Sequence, residues 1–492
     1  MNTESSTSTS INYGRQRILL DYEEVTPQNV IEVLEKATKI HDSNKSDCDY
    51  LIQYFLGEQD ILTRESSSTS NINNKTVVNY AFPITREIVG YTLGSPVEFV
   101  AKNDKQDQVQ IINDSYDYES VNTTDMCAAL YASICGVGYY ITLPSTEITK
   151  DNTPEIPLIV DYLDPRNTFV VQSNTIGNPQ IMSCTIIETE DVTLHICYTD
   201  QYRLIVEDME KVTVESNPIG KDPITMLENS LFLTGDWEQA ISVMNATNLV
   251  ASDSLNDIEG TIRSLLVITG TEFEEGKEDE SLKNIKTNRL LTLVSPGGTN
   301  VDAKFIAPIL ESASVQNIRE YLDEARNIIT GIPDRDNNAS GGDTGTAVLN
   351  RNGWTDIEIV ARFKEMFIKK ARKKQLEIGL AILKTLNLVE DDMRVLDVDI
   401  TIGRHTTDNL STKTTAFSTL VATGELATID ALELSGLTNR TAEMVERGKL
   451  EKEERQKQAM KMAQQTGNQE NTSEGEPTDN NSEENKNKTE EK

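Results

Sequence analysis

Residues 236–262 read DWEQAISVMNATNLVASDSLNDIEGTI, and within them Trp237, Ile241, Met244, Asn248, Ala251, Leu255, Ile258 and Ile262 recur at alternating steps of four and three. That spacing draws one narrow stripe along an α-helix. The stretch contains no proline and opens on Asp236, a natural N-cap. It predicts a single helix about 40 Å long. The stripe is not purely apolar, because Asn248 and Ala251 sit in its middle. A polar residue at a seam position fixes register or oligomeric state at some cost in stability. Taken alone, the stretch reads either as a core helix of a large domain or as a seam between helices, and its surroundings decide.

C-terminal to it, LLVIT (265–269) predicts a strand, and an acidic loop follows with Glu272, Glu274, Glu275, Glu278, Asp279 and Glu280. LLTLVSPGGTNVDAKFI then reads as a strand pair turning at Pro296, Gly297 and Gly298. Val315, Ile318, Leu322, Ala325 and Ile329 repeat the steps of three and four. A small β module is therefore inserted between two long helices of matching period, which an antiparallel helix pair with the insert at one end satisfies. Beyond it, GIPDRDNNASGGDTGTAVLNRNGW is too rich in Gly, Asp and Asn to be regular before about Thr344. A third long helix is expected from about Gly345 to Asn387, carrying Ile357, Val360, Phe363, Phe367 and Ala371, and DVDITIG is a strand. Residues 407–465 predict two or three polar helices, and the tail from Thr466 has the composition of a disordered segment.

On the N-terminal side, residues 1–17 are Ser/Thr-rich and suit a flexible arm. Pro27 predicts the first residue of a helix capped by Thr26, and a second helix is expected from Asp42 to Gly57 with Cys48, Leu51, Ile52 and Phe55 buried. After a loop at 66–74, a helix from Tyr80 to Leu93 should end at Gly94. Residues 97–225 are short β-branched runs with one helix, Asn122 to Cys135, handing over through Pro218 and Pro223 to the stretch at 236.

The chain has 492 residues, 37% of them hydrophobic, and a formal charge of −34. It can bury a sizeable core but is ill suited to holding nucleic acid by neutralising phosphates. Lys369, Lys370, Arg372, Lys373 and Lys374 form its one cationic run, read as a DNA contact or as pairing to the acidic surface of a neighbouring subunit. Five cysteines without a CxxC and three dispersed histidines fit a reduced cytosolic protein with no structural zinc. Neither a signal peptide nor a membrane span is expected: the long uncharged stretch 126–143 carries Gly136 and Gly138 and reads as helix then strand.

No catalytic constellation is complete. The nearest approach to a nucleotide loop, GTEFEEGKE (270–278), is one residue too long and puts Glu278 where a hydroxyl is needed, so any ATP use belongs to a partner. The carboxylate pairs Asp334/Asp336 and Asp397/Asp399 read as solvated loop charge and a half-exposed strand rather than metal ligands. No cofactor and no enzymatic activity are expected.

Seven stretches, in order, carry a resemblance: YFLGEQDILTR, NNKTVVNYAFPITREIVGYTLGSPV, ICGVGYYITL, YLDPRNTFVV, ENSLFLTGDWEQAISVMNATNLVASDSLNDIEG, ITGIPD followed by GTAVLNR, and TIGRHTTDNL with GLTNR. From about residue 45 to 448 the chain resembles the portal proteins of tailed bacteriophages, of the kind found in long-tailed phages of Gram-positive hosts. It departs from the family pattern at Glu228-Asn229, where a paired Asn is usual, and at Thr344-Gly345, where Ser-Gly is usual.

The resemblance implies an α+β portal fold: flexible arm 1–17, mixed α/β wing 18–235, stem helices 236–262 and 311–331, and a β-containing clip 263–310 between them. It further implies a tunnel loop 332–353, a long helix and return strand into the wing 354–400, a helical crown 401–465 and a disordered acidic tail 466–492. The implied protein is a dodecameric ring at one capsid vertex of the virion, assembled in the host cytoplasm, through which double-stranded DNA is packaged and ejected without sequence specificity. Its implied partners are the terminase large subunit, head-completion or adaptor proteins, and the scaffolding and major capsid proteins. The alternative is another head-tail connector without a DNA channel.

On this reading the stem seam is Trp237, Ile241, Met244, Asn248, Leu255, Ile258, Leu322 and Ala325. The clip docking surface is Glu272, Glu274, Glu275, Glu278, Asp279 and Glu280, and the channel loop holds Asp334, Asp336, Gly341, Gly342, Asp343 and Gly345.

Overall fold

The computed structural model describes residues 12–65, 72–102, 105–145, 156–262, 265–269, 302–306, 312–333, 354–403, 410–424 and 428–435, with a few isolated positions besides. The acidic loop at 272–280, the loop residues 334–353, residues 1–11 of the arm expected at 1–17 and the tail from Thr466 lie outside the described residues. The rest of that arm is no flexible segment, because Gly14 and Arg15 bond to Glu238 and Arg17 pairs with Glu228 at 2.8 Å. The chain divides into two units, Met1–Thr406 and Thr407–Lys492.

In the first unit β1 (Ile18–Leu20) is followed by α1 (Val30–Leu56), one helix where the sequence predicts two. Its first half buries Val30, Val33, Leu34 and Ala37, and its second half buries Cys48, Leu51 and Tyr54 in a separate core. The polar run between them is held inside the helix: His41 Nε2 meets the Arg166 carbonyl at 2.9 Å, and Asn44 exchanges hydrogen bonds with the backbone of Gln16. The helix begins at Val30 rather than Pro27, because residues 27–29 form a turn closed by Val30 N–H donating to the Thr26 carbonyl. It stops at Gly57 in the left-handed region.

Next come α2 (Ala81–Thr92), β2 (Val97–Ala101), α3 (Gln106–Tyr118), α4 (Val121–Cys135), β3 (Val137–Pro144) and β4 (Leu158–Leu163). α3 is a helix the sequence does not announce, since Val109, Ile112 and Tyr116 are the only apolar residues among the four that it buries. The chain continues through β5 (Thr168–Ser173), β6 (Gln180–Glu188), β7 (Thr193–Tyr198), β8 (Tyr202–Glu207), β9 (Lys211–Ser216) and β10 (Ile224–Glu228). β10 is also unforeseen: it is short, follows Pro223, and is fixed by antiparallel pairing with β3. One sheet has the order β1-β5-β6-β7-β8-β9, antiparallel except for the β1–β5 pair, and a second has the order β10-β3-β4.

A short 3-10 turn, Glu238–Ala240, leads into α5 (Ile241–Ile262), then β11 (Leu265–Thr269). β12 (Asp302–Ile306) and α6 (Ser312–Thr330) bring the chain back, with β11 and β12 antiparallel. DAKFI pairs with LLVIT, and LLTLV, the partner the sequence suggested for it, lies outside the described residues. The 32-residue α7 (Trp354–Thr385) and β13 (Val398–Ile402) complete the unit, β13 pairing with β2. The largest core gathers side chains of α3, α4, α7 and the β10-β3-β4 sheet. The second unit contains α8 (Leu410–Ala422) and α9 (Thr428–Ser435).

Candidate assembly surface and the joint behind it

The path of α5 is set at its root. Trp237 is fully buried, stacks on Tyr54 at 5.4 Å and donates from Nε1 to Thr85 Oγ1 at 2.9 Å. Asp236 is no helix cap. Its carboxylate accepts from Ser133 Oγ at 2.5 Å, Asn229 Nδ2 at 2.8 Å and Lys364 Nζ at 2.8 Å, and so ties α4, the segment after β10 and α7 into one knot. Beside it Glu238 accepts from Gly14 N and Gly235 N at 2.7 Å each, and from Arg15 Nη2 at 2.7 Å. Burial pushes the Glu238 carboxyl up while Arg15 pulls it back. The backbones here nearly touch. At Gly136, where φ is +83°, an added Cβ would fall 1.8 Å from the Leu233 carbonyl oxygen, so only glycine fits.

From this joint α5 is braced by a polar ladder. Asn248 Oδ1, Ser252 Oγ and Asn256 Oδ1 accept from the backbone N–H groups of Val78, Thr76 and Asn74 at 2.7, 2.9 and 2.7 Å. Four helical residues rise about 6 Å and two extended ones about 6.7 Å, so every fourth side chain meets every second N–H of the segment laid along it. Asn248 Nδ2 also donates to Gln59 Oε1 at 2.6 Å. The polar residue in the seam therefore sets register within the chain.

Past Ser252 the stripe opens. Ile241, Met244 and Asn248 are buried, yet Leu255 and Ile258 are 43% and 48% exposed. α6 matches them: Ile318, Tyr321 and Ile328 are 48%, 69% and 74% exposed, while Leu322 and Ala325 are half-buried. The root end of α6 is fixed, with Arg326 lying 3.6 Å over the Tyr80 ring and Ile332 packed against the core that holds Trp237. Two helices rooted in the body thus carry core-type side chains that no other part of the described chain covers.

α7 buries Ile357, Ala361, Lys364, Ile368, Ala371 and Leu376, a stripe displaced from the predicted one, and leaves Phe363 exposed. Two members of the cationic run, Arg372 and Lys374, are turned into the chain itself, and Lys369 and Lys370 pair at its surface with its own carboxylates. Arg372 is buried, ion-paired with Asp125 and flanked by the rings of Tyr116 and Tyr140. Lys370 pairs with Glu228 at 3.0 Å, Lys369 with Glu365 at 2.7 Å, and Lys374 donates to Gln180 Oε1, while Lys373 is exposed. Neither DNA nor a neighbour is needed to satisfy Arg372 and Lys374, because carboxylates and amides of β6, β10 and α4 lie under α7. Next to Lys374, Asp222 accepts from Ser183 Oγ at 2.5 Å and Gln180 Nε2 at 2.6 Å. Burial pushes Asp222 up to about 6 and holds Lys374 down.

Of the other carboxylate pair, Asp397 accepts from Arg394 and Asp399 stands off β13 beside Lys102 at 3.8 Å. Among the described residues no helix is long and apolar enough to cross a membrane. The clip and channel-loop residues named above lie outside the described residues.

Comparison with known proteins places this arrangement. The family described as "Phage portal protein, SPP1 Gp6-like" matches residues 34–458. The chain belongs to that family, which is structural rather than enzymatic. No curated protein matches it. Among solved structures, the neck of a native GTA particle computed with C12 symmetry is similar at TM-score 0.42 and 11% identity, over 73% of this chain and 89% of that one. The neck of an empty GTA particle computed with C6 symmetry is similar at TM-score 0.44 and 11% identity, over 80% and 94%. Likeness at that level bears on neither the detailed fold nor the function.

Proposed function

We propose that this chain is the subunit of a portal ring, twelve copies around a channel at one capsid vertex, through which DNA enters and leaves the head. The observation that carries the reading is the open seam on α5 and α6, in a chain that belongs to a portal family. Large apolar side chains left at the surface mark an interaction site, and a ring covers such a face with unlike faces of the next copy. In this reading 18–235 is the wing, 236–262 and 311–331 are the stem, 263–310 is the clip, 354–400 returns into the wing and 401–465 is the crown.

The acidic residues Glu272 to Glu280 would dock the terminase large subunit, which supplies ATP hydrolysis, and later the head-completion proteins. Scaffolding and major capsid proteins would surround the wing. Residues 332–353, with Gly341, Gly342 and Gly345 beside Asp334, Asp336 and Asp343, would edge the channel, where glycine gives backbone freedom and carboxylates repel phosphate. The charge of −34 serves the same end, since a conduit must not bind what passes through it.

Electron microscopy of the purified protein in negative stain tests this reading. Rings with a central hole are expected; monomers or solid particles at micromolar concentration would overturn it.

A further inference from the structure

β6 and β7 are neighbours inside the six-stranded sheet, and Cys184 stands directly opposite Cys197 in their register. Both are fully buried in the core under α1, together with Phe169, Met182 and Val206. The hairpin closes with Thr189 N–H donating to the Val192 carbonyl at 3.0 Å, so 189 and 192 are a hydrogen-bonded pair. Five steps along the register, alternation makes 184 and 197 a non-hydrogen-bonded pair, in which the two side chains share a face. Cα atoms there approach to about 4.5 Å, within the roughly 4.4–6.8 Å that a disulfide spans. The Cys197 thiol donates weakly to the His195 carbonyl at 3.9 Å.

We propose that Cys184 and Cys197 are a latent disulfide pair, held as thiols by burial and joined when a small-molecule disulfide such as oxidised glutathione reaches the opened hairpin. In the first step a Cys thiolate attacks one sulfur of glutathione disulfide, breaking its S–S bond and releasing one glutathione thiolate, which takes up the proton. The second Cys thiolate then attacks the mixed disulfide at the protein sulfur, forms the Cys184–Cys197 bond and expels the other glutathione. The protein loses two electrons and two protons, and one oxidised glutathione becomes two reduced ones. Burial pushes the Cys184 thiol well up, so little thiolate exists until the strands part. Cys127 is half-exposed and serves as the internal control.

The test treats the full-length protein with oxidised glutathione, in buffer and in urea below the unfolding transition, then alkylates remaining thiols under denaturing conditions and maps the peptides. The expected product links Cys184 to Cys197 and forms roughly tenfold more slowly, or slower still, than the mixed disulfide on Cys127. Under the same conditions Cys197→Ser should leave glutathione stalled on Cys184. Recovery of Cys184 and Cys197 both alkylated in urea while Cys127 is fully modified would overturn the proposal, as would stable glutathione on Cys184 in the unsubstituted chain. Either result stands apart from ring formation, which the experiment does not read.

Discussion

The two halves of the 237–262 stripe follow one sequence rule and meet two fates. From Trp237 to Ser252 it is buried inside the chain, against α1, α2 and an extended segment whose N–H groups it satisfies. At Leu255 and Ile258, and on the facing α6, side chains of the same kind are left about half exposed or more. A three-four period says that a face must be covered; it does not say by what. The root of the helix is a joint built for rigidity, and its far end is an apolar face that the described chain leaves open.

That contrast can be broken by two substitutions compared in the dissociated chain. Trp237→Ala removes a fully buried ring and should lower stability by about 3–5 kcal/mol in urea denaturation. Leu255→Ala, one step into the half-exposed end, should cost only about 1 kcal/mol. Equal losses would mean that the far half is packed within the chain after all.

A similar divide runs through the cationic stretch, where Arg372 and Lys374 are turned inward and Lys373 outward. Its inner side can be sharpened by pH. The Asp222 carboxyl sits at about 6 in the fold against an ordinary value of 3.8. As pH falls through 6 the folded chain takes up a proton that the unfolded chain takes up only near 4, so this group adds stability on acidification and loses it as pH rises. Between pH 7 and 5 the gain is about 1 kcal/mol. Asp222→Asn should remove that increment from the difference between urea midpoints at the two pH values. An identical pH response in the two proteins would place Asp222 in water.

Much of the architecture was legible from residues alone. The β-branched runs between 158 and 216 became strands close to where they were expected, because period-two alternation over a turn-bounded run admits few other conformations. The helix, β insert, helix order was legible too. What escaped notice depended on partners distant in sequence. α1 is continuous because Arg166 and Gln16 satisfy its polar middle, and α3 is a helix because three residues suffice when α4 and β2 lie against them. Asp236 and Glu238 look like ordinary first-turn acids, and only the fold brings Ser133, Lys364, Gly14 and Arg15 to them. The cationic run misled for the same reason: its counter-charges Asp125, Asp222 and Glu228 are more than 100 residues away in sequence. The family motif around 228–260 is therefore the sequence of a joint and a brace.

Sedimentation velocity of a Leu255→Asp, Ile258→Asp double variant is the most direct test of the central claim that copies of this chain cover the open seam. Charge placed on a face that becomes buried only in the assembly should yield monomers or small oligomers, with the urea midpoint of the chain unchanged. Intact rings of normal size would contradict the account.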